Sequence, residues 1–491
     1  MKLLKQYPFF LLLFVLFFCL HGAVENFGHI SIKETALIGL SILFQCSLFF
    51  IFIFIFIRKF ILTSFIALFT GGFYFFFGVF QDKLRFSSSL AFLGRYSVLI
   101  SIFFTMIFAL FFLLKKKQSS WPEILLFLNI LFLIYTGYDL FLLLLLNNQK
   151  QIKVSTINFD YTKVVKKPNV YFLLFDGYPS VKVMKDSFDF DNFGFTNFLS
   201  KNSFTSLPIS SNYDMTQFSM SSTLNMNYIN PLYNLSHTTQ QEYQKRQKEI
   251  SNATVFEIFE NMGYQLENNS IFDIHNLPGT SSENNFLLTN GILLTDKIFI
   301  NRLNKDMGRI VPQSVVKWMP FLQRNSIFKD MVNNNNIEKV LLKKNNLHNP
   351  KPIFNYAHFI MPHAPHYYDS VGNFNNSPLL INKSDDQIKN EFVSYLKYTN
   401  SVMEKVVLHL IKQDSNAIVI LLSDHGYRAF KNNNTVLPNK LSSLENIGAV
   451  HFPNNNYGNI PDTITNVNFF RYLFNTQFYQ NFTFVKDSTF Q

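Results

Sequence analysis

Four long runs of apolar residues occupy the first third of this chain and restrict its fold more than any other feature. They are rich in Phe, Leu and Ile, and they cover residues 36–57, 60–80, 97–114 and 121–146. Each is near or above the roughly 18–20 residues that an α-helix needs to cross a bilayer. A shorter apolar run at 8–20 precedes them. The sequence therefore predicts a transmembrane region of about five helices over residues 1–146.

Basic residues next to these runs predict which side of the membrane each end faces. Those that agree on one orientation are Lys2, Lys5, Arg58, Lys59, Lys115, Lys116 and Lys117. Because Lys and Arg mark cytoplasmic ends, the chain should emerge outside after the last run. A second group, Lys83, Arg85 and Arg95, falls on the outer side against this rule. The first run could also be a signal peptide, but "CLHGAV" is a poor cleavage site, and we favour an uncleaved helix.

Charge and cysteine content exclude several classes of function. Residues 1–150 hold 12 Lys and Arg against 5 Asp and Glu, which is +7 of the net +11. Most of the excess is thus a topological signal, and a nucleic-acid partner is not expected. The only cysteines, Cys19 and Cys46, lie in apolar runs.

Asp139 lies inside the last run, where an ionisable residue is either functional or a helix–helix hydrogen-bonding group.

The remaining sequence alternates strand-like and helix-like patterns. Residues 147–167 form a polar juxtamembrane connector, and 168–491 form the second domain. Buried-strand patterns occur in "NVYFLLF", "IFNYAHF", "NAIVILL" and, as a short fourth, "ENIGAVHFP". Helical patterns cover 192–199, 255–262 and 385–413. This alternation predicts an α/β domain with a mostly parallel central sheet, in which strand ends carry functional groups.

Two strand ends supply a set of metal-ligand residue types. Asp176 follows the first strand pattern, and Asp424 with His425 follows the third, in "LLSDHGYR". Two carboxylates and an imidazole suit a divalent ion such as Zn²⁺ or Mn²⁺. An Asp-His pair before a glycine is also a common turn, so the set needs further support.

A nucleophile is available in "SNYDMTQFSMSSTLNMNY" at 211–228. The part from Thr216 could start a helix, whose first amide groups favour an anionic substrate. A Thr oxygen bound to a cation becomes a competent nucleophile. The alternative is an ordinary helix N-cap, for which Thr is equally suited. The amide of Asn212 is a further candidate for substrate binding.

Three histidines cluster in "AHFIMPHAPHYYD", namely His358, His363 and His366. Imidazoles beside a metal ion can bind an oxyanion or protonate a leaving group. Any one of them could instead be packed in the core.

Together these blocks resemble the alkaline phosphatase and sulfatase superfamily in their order and rough spacing. With the apolar N-terminal runs, the chain looks most similar to its membrane-anchored branch, the lipoteichoic acid synthases and phosphoethanolamine transferases. The resemblance covers roughly 168–475. It implies a threonine that takes a phosphoryl-linked headgroup from a phospholipid and passes it to an acceptor outside the membrane.

By this resemblance, Asp176 is the first metal ligand and Thr216 is both nucleophile and ligand. Asp424 and His425 complete the metal site, and His363 binds phosphoryl oxygens with His358 close by. The transferases usually carry Glu where this chain has Asp176. Classical sulfatases have a second carboxylate where this chain has Gly177, and that difference favours a single metal ion.

The function that we expect is a metal-dependent transferase in the bacterial plasma membrane, with its catalytic domain extracytoplasmic. Its partners would be a phospholipid donor and a glycan or glycolipid acceptor. A phosphodiesterase or phosphatase on the same site is the main alternative. A sulfatase would need a formylglycine motif, and "TQFSMSS" has neither its Pro/Ala nor its Arg. A non-catalytic membrane relative is the third possibility.

Overall fold

The chain divides into two compact units that are interleaved in sequence. A computed structural model describes residues 1–27, 30, 32–85, 90–147, 157–229, 240–275, 277–279, 294–307, 329–344, 350–375, 383–428 and 443–490. The first unit is Met1–Ile152 with Leu287–Ser326, and the second is Lys153–Phe286 with Ile327–Gln491. The sequence patterns assigned 168–491 to one domain, whereas the structure places a segment from within that range in the first unit.

Five apolar helices form most of the first unit. They are α1 Phe10–Glu25, α2 Ile32–Ile57, α3 Phe60–Arg85, α4 Tyr96–Lys116 and α5 Trp121–Asn147. Within the described residues, four helices are long and apolar enough to cross a membrane. At 1.5 Å per residue, the 16 residues of α1 span about 24 Å, which is short of a hydrocarbon core of about 30 Å. By length and composition, the described residues therefore hold four helices able to cross a membrane and one shorter apolar helix.

Polar side chains of α5 hold α1 in the bundle. The buried Asn129 accepts from the Phe10 N–H at 2.6 Å and donates to the carbonyls of Leu4 and Tyr7, both at 2.8 Å. The first bond satisfies an N–H that the start of a helix leaves unpaired, and the other two satisfy carbonyls of the chain before α1. Further along, Asp139 contacts His21 of α1, with 3.3 Å between Oδ2 and Nδ1. Of the alternatives left open for Asp139, this contact favours a hydrogen bond between two helices.

A six-stranded sheet forms the centre of the second unit. Its strands are β1 Val170–Phe175, β2 Thr205–Ser206, β4 Gln265–Asn269, β5 Ile353–Phe359, β6 Ile418–Leu422 and β7 Gly448–His451, in the order β2-β7-β6-β1-β5-β4. β1 is parallel to both β5 and β6, and β4 is parallel to β5. β7 runs antiparallel to β6. The two-residue strands β3 Ile209–Ser210 and β8 Ile464–Thr465 pair separately.

Helices surround this sheet. They are α6 Val181–Phe188, α7 Phe193–Lys201, α8 Thr216–Asn225, α9 Gln240–Ser251, α10 Thr254–Asn261, α12 Lys329–Leu342, α13 Asp385–Gln413 and α14 Asn466–Gln477. Every residue of β1, β5 and β6 is buried. Such strands read as continuous apolar runs because helices cover both faces of a parallel sheet. The predicted α/β fold is confirmed.

The helix α11 Phe299–Met307 belongs to the first unit, although it follows α10 in sequence. Ile298, just before it, is buried in a cluster with Phe14, Phe18 and Phe75. Phe299 packs edge-on against Phe77, with 4.8 Å between ring centroids. These apolar contacts explain why the segment joins the helical bundle.

Candidate metal centre

Asp176 directly follows β1, near the centre of the sheet. Its N–H donates to the Phe359 carbonyl at 2.9 Å, which extends the β1–β5 ladder by one residue. Gly177 then turns the chain with φ of +72°, a conformation that glycine adopts without steric cost. The Gly177 N–H donates to Asp424 Oδ1 at 3.2 Å. The turn after β1 is thereby joined to the turn after β6.

Asp424 and His425 lie at the equivalent point of the neighbouring strand. The parallel register pairs Leu174 with Leu422, so Asp176 and Asp424 each come two residues after a paired position. His425 Nε2 is 3.4 Å from Asp176 Oδ1 and 3.4 Å from Asp424 Oδ2. One ligand atom from each residue lies within 4.8 Å of the others. The fold thus brings Asp176 next to the adjacent residues Asp424 and His425, although 248 positions separate Asp176 from Asp424 in sequence.

The polar atoms that these three side chains turn towards one another make no hydrogen bonds within the described part of the chain. Asp176 Oδ1, Asp424 Oδ2 and His425 Nε2 are buried and have no hydrogen-bond partner among the described residues. Buried polar atoms ordinarily find partners. Two carboxylate oxygens and an imidazole nitrogen form a donor set that suits a divalent cation. The residues present therefore fit a metal ion.

Neighbouring polar groups fix the orientation of the ligands. His425 Nδ1 donates to the Gly426 carbonyl at 2.6 Å, which leaves the Nε2 lone pair for the site. Asn466 Nδ2 donates to the carbonyls of Ser423 at 3.0 Å and Asp424 at 3.2 Å. Such outer contacts hold ligand rings and turns in place before a metal binds.

The charge state of Asp176 also suits a ligand. Burial alone raises the pKa of this carboxyl, but the imidazoles of His363, His358 and His425 more than offset that effect. The net result is a pKa below the usual range for aspartate. Asp176 is thus an anion throughout the neutral range, as metal coordination requires.

Thr216 is the first residue of α8 and is 3 % exposed. Met215 occupies the N-cap position, so Thr216 is not the helix cap that the sequence allowed. Ser219, one turn further on, donates through Oγ to the Asp424 carbonyl at 2.5 Å. Residues three apart share a helix face, so Thr216 and Ser219 lie on the same side of α8. The first turn of α8 therefore packs beside the metal-ligand turn.

Two of the three clustered histidines adjoin Asp176. His358 lies in β5 and is fully buried, with Nε2 3.7 Å from Asp176 Oδ2. The backbone N–H of His363 donates to the Asp176 carbonyl at 3.1 Å. The centroid of the His363 ring is 6.5 Å from that of the His425 ring. Burial, with the charges of Arg428 and His425, lowers the pKa of His363 against the opposing effect of Asp176. Its imidazole is therefore neutral at pH 7.

Arg428 is a residue of this site that sequence reasoning missed. Its guanidinium donates to His363 Nε2 at 3.2 Å, while His363 Nδ1 donates to the Ala364 carbonyl at 2.6 Å. Burial raises the pKa of Tyr243, and both Arg428 and Asp214 act on that group. The positive charge of Arg428 lowers the pKa of Tyr243, while the negative charge of Asp214 raises it. Its position three residues after His425, in the quoted "LLSDHGYR", was the available signal.

The other two predicted substrate-binding residues have different surroundings. The His366 ring packs against Phe392 and Tyr395 of α13, with centroid distances of 5.8 and 5.9 Å. Asn212 accepts from the Val467 N–H at 2.8 Å and donates to the Ser488 carbonyl at 2.8 Å. Both side chains are buried. These contacts connect parts of the fold, and the predicted roles of the two residues in substrate binding stay predictions.

Comparison with known proteins gives one family match and several distant structures. The sulfatase family matches residues 181–473. No curated protein matches the chain. A periplasmic domain of phosphoethanolamine transferase EptC from Campylobacter jejuni is 12% identical, with 59% of this chain and 80% of that one covered and a TM-score of 0.33. The soluble domain of lipooligosaccharide phosphoethanolamine transferase A from Neisseria meningitidis is 13% identical, with 64% and 91% covered and a TM-score of 0.34.

A protein of the alkaline phosphatase superfamily from Vibrio parahaemolyticus is 12% identical, with 64% of this chain and 70% of that one covered and a TM-score of 0.32. The sulfatase match identifies an enzyme that transfers or hydrolyses phosphoryl or sulfuryl groups. The family match covers more than half of the sequence. The chain belongs to the sulfatase family.

Proposed function

We propose that this protein is a metal-dependent transferase that moves a phosphoryl-linked headgroup from a phospholipid to an acceptor. The observation that carries the proposal is the set of buried, unpartnered ligand atoms of Asp176, Asp424 and His425 beside the first turn of α8. Thr216, in that turn, is the proposed nucleophile. The donor headgroup is of the phosphoethanolamine or phosphoglycerol type, and the acceptor is a glycan or glycolipid.

Asp176, Asp424 and His425, with Thr216 Oγ, would hold one Zn²⁺ or Mn²⁺ ion. When bound, the ion lowers the pKa of the threonine hydroxyl and offsets negative charge on the phosphoryl group. The protein itself supplies the orientation. Buried ligands held by Asn466 and Gly426 need little rearrangement as the reaction proceeds.

In the first half-reaction, Thr216 Oγ attacks the phosphorus of the donor in line, the bond from phosphorus to the diacylglycerol oxygen breaks, and the threonine proton ends on that oxygen, which leaves as an alcohol. In the second half, an acceptor hydroxyl attacks the same phosphorus, the bond from phosphorus to Thr216 Oγ breaks, and the proton of the acceptor hydroxyl ends on Thr216 Oγ. Arg428 donates to the phosphoryl oxygens, and His363 holds the guanidinium in place.

The membrane unit favours a lipid donor over a soluble one. Four helices able to span a bilayer keep the enzyme where phospholipids are found. With Lys and Arg at the inner ends, the catalytic unit lies outside the plasma membrane. Transfer and hydrolysis differ only in whether an acceptor hydroxyl or water attacks the phospho-threonine, so a hydrolase is the nearest alternative.

Intact mass spectrometry of the full-length protein tests the nucleophile. The protein is incubated with mixed phospholipids and metal, and a mass increase is expected whose size identifies the headgroup. Thr216→Ala should abolish the increase. Thr223→Ala is the matched control, because Thr223 lies in the same helix and its hydroxyl donates to the Ser219 carbonyl, at 2.7 Å, rather than to the metal-ligand turn. An adduct that persists in Thr216→Ala would overturn the proposed intermediate.

Metal content tests the site independently of turnover. Asp424→Asn should lower Zn²⁺ affinity by at least about 100-fold, because even indirect contacts of metal ligands contribute roughly 10–100-fold. Asp462→Asn removes an exposed carboxylate and should leave the affinity unchanged. Metal retained by Asp424→Asn after dialysis would exclude this ligand set.

A further inference from the structure

The segment of residues 486–490 lies against the turn that leads into α8. Its backbone forms a parallel bridge with that turn, in which Phe490 pairs with Tyr213. The Phe490 N–H donates to the Asn212 carbonyl at 2.7 Å. We call this segment the strap. Because Tyr213 is three residues before Thr216, the strap contacts the chain just ahead of the proposed nucleophile.

The side chain of Asn212 joins the strap to the start of α14. Its Nδ2 donates to the Ser488 carbonyl at 2.8 Å, and its Oδ1 accepts from the Val467 N–H, also at 2.8 Å. Asn212 is completely buried. A buried amide with bonds at both of its ends is confined, because a different position would leave polar groups unpaired. The turn before α8 is therefore held by the strap and by α14 together.

Aromatic rings reinforce the contact between the strap and this turn. The Phe490 ring stacks on Tyr213, with 5.2 Å between centroids and 19° between planes, and meets the Tyr228 ring edge-on at 5.6 Å. Tyr213 and Phe218 are the buried members of a small apolar cluster against which Phe490 packs. Phe218 lies in the first turn of α8. Loss of the Phe490 ring would leave a gap beside Tyr213, and the turn would relax into it.

The Tyr228 hydroxyl joins the strap to the other end of α8. It donates to the Lys486 carbonyl and accepts from the Ser488 N–H, both at 2.8 Å. Tyr228 comes three residues after α8 ends, whereas Asn212 comes four residues before it begins. The strap therefore bonds to the chain on both sides of the helix that carries the proposed nucleophile.

A series of polar contacts leads from the turn before α8 to the metal-ligand turn. Ser211 donates through Oγ to the Tyr213 carbonyl at 2.6 Å, and the same Oγ lies 3.0 Å from Ser219 Oγ. Ser219 in turn donates to the Asp424 carbonyl at 2.5 Å. The turn that the strap holds thus contacts α8 and, through it, the metal-ligand turn. A shift of this turn would move Thr216 relative to the metal ligands.

We propose that the strap is a positioning element, in which Phe490 holds the turn before α8 so that Thr216 is aligned for attack on phosphorus. This proposal rests on the proposed function of Thr216 as the nucleophile. Attack requires the reacting atoms to be about 3–3.5 Å apart, and a displacement of about 1 Å can lower the rate on the order of 100-fold. A change in the strap should therefore slow the attack while metal and substrate still bind.

Single-turnover formation of the Thr216 adduct separates positioning from folding. The full-length protein is mixed with metal and with vesicles of equal phosphatidylethanolamine and phosphatidylglycerol, and quenched samples are read by intact mass spectrometry. The amplitude counts intact sites, and the rate constant reports the alignment within them. Phe490→Ala should lower the rate constant about tenfold with bound metal unchanged. Phe490→Tyr, which keeps the ring, should restore most of the rate constant.

The matched control is Phe484→Ala. Phe484 precedes the strap in the same stretch of chain and is 40 % exposed, so its loss should leave the rate constant unchanged. A reduced amplitude in Phe490→Ala with an unchanged rate constant would show a purely structural role and overturn the proposal.

A milder variant tests the same element if Phe490→Ala folds poorly. Tyr228→Phe removes the one oxygen that makes both bonds to the strap, and it should lower the rate constant by less than Phe490→Ala does. Tyr457→Phe is its control, because it removes a hydroxyl that donates to the Ser203 carbonyl at 2.7 Å, away from the strap. Equal rate constants in Tyr228→Phe and Tyr457→Phe would contradict the role of the strap.

The proposed nucleophile and the proposed strap fail in different ways. If the natural protein forms no adduct at Thr216, both proposals are wrong. If the adduct forms, and the strap variants form it at the natural rate, only the role of the strap is wrong.

Discussion

At the scale of single residues, Arg428 is the strongest candidate for a substrate-binding cation. Its guanidinium donates to the neutral imidazole of His363, beside Asp176. A planar guanidinium can donate two parallel hydrogen bonds to a phosphoryl group, which an ammonium cannot. Its role is therefore tested by changing geometry and charge separately.

Arg428→Gln should lower kcat/KM by roughly 10–100-fold, which corresponds to about 1.5–3 kcal/mol for hydrogen bonds to a charged group. Arg428→Lys should recover only part of this loss, because the charge returns without the fork. Bound metal, measured in the same samples, should be unchanged in both. If Arg428→Lys restores full activity, charge alone matters. If Arg428→Gln keeps full activity, Arg428 does not bind the substrate.

His366 gives a prediction about pH. Burial, with the nearby His363 and Lys383, lowers its pKa to about 3, compared with 6.5 for an ordinary histidine. Below pH 6.5 the unfolded chain takes up a proton that the folded chain does not, so stability falls as the pH drops from 6.5 towards 3. At pH 5, this residue lowers the free energy of unfolding by about 2 kcal/mol relative to its value at neutral pH.

His366→Phe should therefore lose less stability on acidification. Thermal melting of both proteins at pH 7 and pH 5 measures the difference. The variant should melt lower than the natural chain at pH 7, because its packing against Phe392 and Tyr395 is altered, but its further decrease at pH 5 should be smaller. Equal acid-induced decreases in the two proteins would show that His366 does not titrate as its burial requires.

At the scale of elements, a side chain of α8 bonds to the metal-ligand turn. Ser219 Oγ donates to the Asp424 carbonyl and lies 3.0 Å from Ser211 Oγ. Ser219→Ala should cost about 0.5–1.5 kcal/mol of folding free energy and shift Thr216 relative to the metal ligands. We expect a loss of kcat that exceeds the loss of metal affinity.

Ser222→Ala is the control for this prediction, since Ser222 Oγ donates only within α8, to the Ser219 carbonyl at 3.0 Å. It should lower stability by a comparable amount and leave kcat near normal. If the two variants lose kcat equally, the effect of Ser219 is a general one on the helix. Urea unfolding and steady-state kinetics of the same preparations separate the two effects.

The elements that local patterns determine were predictable from the sequence. Apolar periodicity predicted 385–413 as a helix with the bounds of α13, and the continuous apolar runs predicted β1, β5 and β6. Asp176, Asp424 and His425 followed because parallel strands end at one edge of a sheet. Arg428 did not, because its role depends on a bond to His363, 65 residues away. The place of α11 in the first unit could not be predicted either, because an apolar helix face can pack against any apolar surface.

At the scale of the whole molecule, the interleaving of the two units has a consequence for folding. Leu287–Ser326 belongs to the first unit, but the sequence on either side of it belongs to the second. The two units are therefore linked by three chain crossings, near residues 152, 286 and 326.

The same interleaving predicts how the second unit behaves when it is produced alone. Leu294 and Ile298 are each 5 % exposed because the bundle covers them, so residues 153–491 without the bundle would expose both. Exposed apolar clusters of this kind promote association. Size-exclusion chromatography should show residues 153–491 as aggregates, and Leu294→Ser/Ile298→Ser/Phe299→Ser in the same piece should restore a monomer. Lys297→Ser/Arg302→Ser, which changes only charged residues of the segment, should not. A monomeric piece with the natural sequence would show that the segment folds back onto the second unit, and the bundle would then not be its required partner.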